Sequence, residues 1–136
     1  MAYTNFAQPA FVDPGGEWSG SPSLMARGPT FNHFCSRGFA TSSNGSSTLL
    51  NTITLPSGSY SFMLELHGTG YGSPNGFAYW LGGGWCSGST ITIPTPLEQP
   101  GNEMTLQVVI TGLNVAIYGA GITGDYNLFV DLYLGA

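Results

Sequence analysis

From Tyr60 to His67 the chain alternates without a fault. Tyr60, Phe62, Leu64 and Leu66 take one side, and Ser61, Met63, Glu65 and His67 take the other. A period of two gives an extended strand one apolar face, whereas the same residues would be scattered around a helix. The pattern returns in Phe31, His33, Cys35, Arg37 and Phe39, in Met104, Leu106, Val108 and Ile110, and in Tyr126, Leu128, Val130, Leu132 and Leu134. Residues 48–55 read as a further strand with Asn51, Ile53 and Leu55 on one side, and 77–81, 90–93 and 114–118 are shorter candidates. Gly, Pro, Asn and Ser separate these runs, no segment carries a helical stripe, and Pro94, Pro96 and Pro100 break the longest connection. About eight short strands with turn residues between them predict an all-β fold. Their number favours an eight-stranded antiparallel jelly-roll β-sandwich over residues 31–136.

Residues 1–30 do not share the alternation. They hold Pro9, Pro14, Pro22 and Pro29, which deny donors to any ladder. The same stretch carries Phe6, Phe11, Val12 and Trp18, more apolar surface than a free linker needs. It reads as an extended N-terminal arm whose apolar side chains lie against another surface, either a neighbouring subunit or the arm's own domain.

Charge narrows the function. The 136 residues include seven acids, two arginines and no lysine, for a formal net charge of -5. Residues 38–136 carry no fixed positive charge at all. Phosphate backbones and anionic membranes both need a basic face, so neither nucleic acid nor a membrane surface is an expected partner. Charged residues make up 7% of the chain, against about 25% in ordinary soluble domains. Such a deficit suits a surface buried against neighbours, where charge is depleted, or an exterior protein kept soluble by hydroxyl and amide groups. The start, Met-Ala-Tyr-Thr-Asn-Phe, has no basic region or apolar run of the kind a secretory leader carries. Cys35 and Cys86 allow one disulfide by arithmetic, and two reduced thiols are the simpler expectation.

The catalytic motifs do not hold up. Gly119-Ala120-Gly121-Ile122-Thr123-Gly124 is a literal G-x-G-x-x-G, but a dinucleotide fold would follow it with a helix and a second strand. Only 12 residues remain and they alternate, so the glycines are expected to make a hairpin turn. His33 and Cys35 share a strand face, as do Glu65 and His67. Were those two strands neighbours, four metal-capable side chains would converge. Structural zinc sites usually draw on closely spaced Cys and His pairs, a spacing absent here, so no metal and no cofactor is expected. A nucleophile needs a base and an orienting group, and no such set can be assembled, so no enzyme is expected.

Residues 68–89 gather Tyr71, Phe77, Tyr79, Trp80 and Trp85 among glycines. Aromatic faces on loops stack on sugars or anchor interfaces. Tyr71, Tyr79, Trp80 and Trp85 are therefore the candidate ligand-facing residues. The competing expectation is that Phe77, Tyr79 and Trp80 fill the sandwich, leaving Trp85, beyond three consecutive glycines, as the best candidate for exposure.

Gly58-Ser59-Tyr60-Ser61-Phe62, preceded by Leu55-Pro56, resembles the G-x-Y-x-F strand in the globular heads of complement-type and tumour-necrosis-factor-like proteins, with Leu64 in place of their third aromatic residue. The apolar final strand is similar too. That resemblance implies a trimeric jelly roll with its last strand near the threefold axis and transfers no binding residues. In such a trimer the aromatic and aliphatic residues of the last strands, including Phe129, Tyr133 and Leu134, are the expected contacts. The apolar Pro/Gly arm and charge-poor Ser/Thr/Gly body also resemble capsid decoration proteins of tailed bacteriophages. This second resemblance implies a cement protein, a homotrimer on the outer capsid surface of a virion. Its partner would be the major capsid protein, gripped through Phe6, Phe11, Val12 and Trp18. The alternative is a viral fibre head or lectin-like module that binds a host glycan or receptor.

Overall fold

The computed structural model describes residues 25–27, 33–94, 96–99 and 103–135. Ten strands run through them in chain order: β1 (Met25–Arg27), β2 (His33–Ser42), β3 (Thr48–Thr54), β4 (Gly58–Ser73), β5 (Gly76–Gly88), β6 (Thr90–Thr92), β7 (Leu97–Gln99), β8 (Thr105–Thr111), β9 (Asn114–Ala120) and β10 (Thr123–Leu134). There is no helix among the described residues. The alternation predicts this all-β architecture, and the seven longer strands follow the predicted runs. Of the three strands of three residues, β6 falls on the predicted run at 90–93, and β1 and β7 are additions at the margins. β7 comes from the proline-broken segment between Pro96 and Pro100, where proline limits how far a ladder can extend.

Seven strands form one sheet in the order β1-β2-β10-β4-β5-β6, with β7 also pairing β5, and β3-β9-β8 form a second. All the strand pairs are antiparallel. The first and last long strands, β2 and β10, lie side by side, and their sequence neighbours β3 and β9 pair in the opposite sheet. This is the nested order of a jelly roll. β4 and β5 depart from it by forming a hairpin within one sheet. β1 falls inside the expected arm but already pairs with β2, Ala26 opposite Phe34.

Period two dictates the core. On β10, Tyr126, Leu128, Val130, Leu132 and Leu134 are buried, and on β4 Phe62, Leu64 and Leu66 are. They meet Ile53, Val115 and Ile117 of the smaller sheet. Full burial of an aliphatic side chain contributes about 1.5–3 kcal/mol, so this shared interior is the main term holding the sheets together. Asn51 is the polar exception. Its Nδ2 donates to Ser36 Oγ at 2.9 Å and to the Arg37 carbonyl at 3.0 Å, tying β3 to β2 across the sandwich. A register shift between Leu49 and Asn51 turns both Leu50 and Asn51 inward, which strict alternation could not have placed.

The Gly119–Gly124 segment is not the expected hairpin. β9 and β10 belong to different sheets, so the chain arches from one layer to the other. Gly121 has φ 102°, and a Cβ there would lie 2.1 Å from the Glu103 carbonyl oxygen. Only glycine takes that turn at that approach. Behind it the buried Tyr126 hydroxyl accepts from the Ile122 amide and donates to the Ile122 carbonyl, both at 2.9 Å. Here the glycines serve an inter-sheet arch.

Candidate functional site

The inward face of the large sheet is core, so function must be sought on its outward face. Strand register sets the side chains there in rows. Met63, Tyr133 and His33 make one row. Leu81, Glu65, Asp131 and Cys35 make the next, and Tyr79, His67, Phe129 and Arg37 the one after. Phe77, Thr69, Asn127 and Phe39 follow. A polar centre thus lies between apolar and aromatic flanks, on strands fixed by long ladders.

The centre is a connected network. His33 Nε2 lies 2.8 Å from Asp131 Oδ1, and the His33 ring stacks on Tyr133 at 4.3 Å between centroids. Tyr79 donates its hydroxyl to Glu65 Oε2 at 2.7 Å. His67 Nε2 is 3.5 Å from the same oxygen, and its ring meets Tyr79 edge-on at 4.9 Å. The Arg37 guanidinium sits 5.4 Å above the Phe129 ring. Hydrogen bonding to Glu65, then desolvation and the nearby negative charge, raises the Tyr79 phenol above its ordinary pKa. Tyr133 is raised chiefly by burial, with Asp131 and Glu65 adding to it. Both phenols are therefore neutral donors at physiological pH.

The expected ligand-facing residues divide. Tyr71 is 75% exposed and Trp85 49%, and Tyr79 is half-buried beside Glu65. Trp80 points the other way and is 3% exposed, so it belongs to the core and not to the outer face. The expected trimer contacts divide by the same rule: Phe129 and Tyr133 face outward, whereas Leu134, one residue further on, is buried. Phe6, Phe11, Val12 and Trp18 lie outside the described residues. Cys35 and Cys86 are not joined, since one faces out from β2, the other is buried on β5, and two strands lie between them.

The conditional convergence of His33, Cys35, Glu65 and His67 fails for a topological reason. β2 and β4 are not neighbours, because β10 runs between them. What β10 inserts is Asp131, opposite Cys35 on one side and Glu65 on the other. The group that comes together is Glu65, His67 and Asp131, with one ligand-capable atom from each within 4.8 Å of the others. In the sequence Glu65, Asp125 and Asp131 read as single acids with no pairing to be inferred, because the pairing of Asp131 with Glu65 depends on strand order. The outward position of Asp131 on the last strand was the only local signal.

Away from this face, a cleft of about 170 Å³ opens between β5 and β8, lined by Trp80, Ile93, Pro96, Gln107, Val108 and Ile110. It brings no ionisable group and falls below the roughly 300 Å³ of ordinary ligand pockets.

No family model matches the chain, and no curated protein matches it. Its fold is similar to parts of three solved phage proteins. One is the tailspike protein of Acinetobacter baumannii phage AM24, with TM-score 0.48 and 10% identity, covering 76% of this chain and 26% of that one. The second is the tailspike protein gp49 from Acinetobacter baumannii bacteriophage Fri1, a capsular polysaccharide depolymerase, with TM-score 0.44 and 14% identity over 84% of this chain and 19% of that one. The third is the tailspike protein of Acinetobacter phage vB_ApiP_P1, with TM-score 0.42 and 15% identity over 92% of this chain and 26% of that one. This chain therefore spans well under half the length of each, and no residue, substrate or activity is carried over from them.

Proposed function

We propose that the chain is a structural virion protein of a bacteriophage that works by binding alone, self-associating through the outer face of its larger sheet. The observation that carries this reading is the apolar load on that face. Phe39, Met63, Tyr71, Phe77, Trp85, Phe129 and Tyr133 are all substantially exposed there. At roughly 200 Å² for a whole aromatic side chain, these residues leave several hundred Å² of apolar surface in water. Monomeric proteins seldom tolerate so much without a partner. The low density of charged groups, 7% of the chain, supports the same conclusion, since surfaces buried against neighbours are depleted in charge.

The specific form we favour is a homotrimeric capsid decoration protein on the outer surface of an assembled shell. Phe129 and Tyr133 would contact neighbouring copies. The arm, through Phe6, Phe11, Val12 and Trp18, would hold the major capsid protein, and a protein that binds only the assembled shell stabilises it by mass action. The test is attachment to purified shells by the full chain, by a variant lacking residues 1–24, and by Phe129→Asp. Loss of attachment without the arm and loss of trimer in Phe129→Asp are expected. Undiminished attachment by both would contradict the role.

A second reading, a glycan- or receptor-binding head, is favoured by one specific feature. Trp85 and Tyr71 are exposed, and between them along the β4–β5 ladder lies the Tyr79–Glu65 pair, whose oxygens can accept from sugar hydroxyls. A glycan array with Trp85→Ala as the comparison separates the two readings: sugar-dependent binding that the variant loses would favour the head.

A further inference from the structure

We propose that Glu65, His67 and Asp131 form a binding site for a borderline divalent transition-metal ion of the zinc type. The three residues come from two paired strands, β4 and β10, whose register places Glu65 directly opposite Asp131. His67 follows Glu65 by two residues and so stands on the same face. One ligand-capable atom from each already lies within 4.8 Å of the others. Ligands bonded to zinc at about 2.0–2.2 Å sit roughly 3.3 Å apart. The ligand atoms would have to draw together by about one to two ångströms, and the side chains, 26–50% exposed, are open to solvent from which an ion can enter.

Two further features point to a cation. The first is the paired carboxylates. Like charges directly opposite on a sheet oppose one another, and an ion between them turns that repulsion into attraction. The second is the support behind them. His33 hydrogen-bonds Asp131 and Tyr79 hydrogen-bonds Glu65, at 2.8 and 2.7 Å. Partners of this kind hold carboxylate ligands in orientation in metal sites. The donor set selects the metal. Calcium takes six to eight oxygens, which two carboxylates and an imidazole cannot supply, whereas one imidazole nitrogen with two carboxylate oxygens suits zinc. Three protein ligands leave a position for water or for an oxygen of whatever docks on the face. The site needs only the ladder of one chain, so it stands whether the face meets copies of the protein or a glycan.

The experiment is calorimetric titration of metal-stripped full-length protein with zinc chloride, alongside Glu65→Gln/Asp131→Asn, His67→Ala and Asp125→Asn, each checked for its fold by circular dichroism. Asp125 lies on the same face but bonds Thr41, away from the site. One zinc per chain is expected, with affinity at least about tenfold weaker in the first two variants and unchanged in the third. Zinc should also shift the His67 ring signals in NMR more than those of His33. No uptake by the parent protein, uptake unaltered by the double substitution, or preference for calcium over zinc would each overturn the proposal.

Discussion

Asp131 stands directly opposite Glu65 across the β10–β4 ladder, so two carboxylates share the centre of an outward sheet face. An unsupported pair of this kind is unfavourable by a few tenths to about 1 kcal/mol. It is tolerated here because His33 and Tyr79 each hydrogen-bond one of the two. The outer face is thus organised around a local conflict between two carboxylates.

Neutralising one member of that pair should therefore not weaken the metal-free protein. Glu65→Gln keeps an acceptor for Tyr79 and removes the repulsion. Urea unfolding in the presence of a chelator should give unchanged stability or a gain of up to ~1 kcal/mol. A clear loss would mean that the two charges are not in conflict.

The phenols on this face should ionise late. In a spectrophotometric alkaline titration, Tyr79 and Tyr133 should form phenolate above the ordinary tyrosine pKa of ~10. Glu65→Gln should bring Tyr79 back toward it, since the Glu65 hydrogen bond is the leading cause of its shift. The sign for stability follows from the raised folded-state value. The contribution is fully present below the unfolded pKa and is lost as pH rises through the folded one. Stability should accordingly fall in the alkaline range beyond pH ~10, and fall less steeply in the variant.

Tyr126→Phe should destabilise the inter-sheet arch. The substitution removes the hydroxyl that serves both the amide and the carbonyl of Ile122 in a fully buried position. Leaving buried backbone groups unsatisfied costs about 1–3 kcal/mol. Denaturant unfolding should register that loss with the far-ultraviolet spectrum retained. A neutral result would mean that water replaces the hydroxyl.

Much of this fold was legible because period two is a local property. Tyr60 to His67 and Tyr126 to Leu134 declare their inner and outer faces without reference to any other strand. What was not legible depends on pairing. The bulge that buries Leu50 with Asn51, the arch in place of a hairpin at 119–124, and Asp131 between β2 and β4 are all consequences of strand order. The candidate site divides in the same way. Trp85 was marked as exposed by its three preceding glycines, while Trp80 and Leu134 take their inward positions from strand phase. The Glu65–His67 pair was visible on its own strand, but its third member was not.

The most direct measurement is sedimentation equilibrium of the full chain beside Phe129→Asp, which puts a charge on the outer face without touching the core. A protein built to associate through that face should sediment as a trimer, and the variant as a folded monomer. A parent chain that stays monomeric and soluble at high concentration, with its exposed aromatic residues in water, would contradict the proposed role.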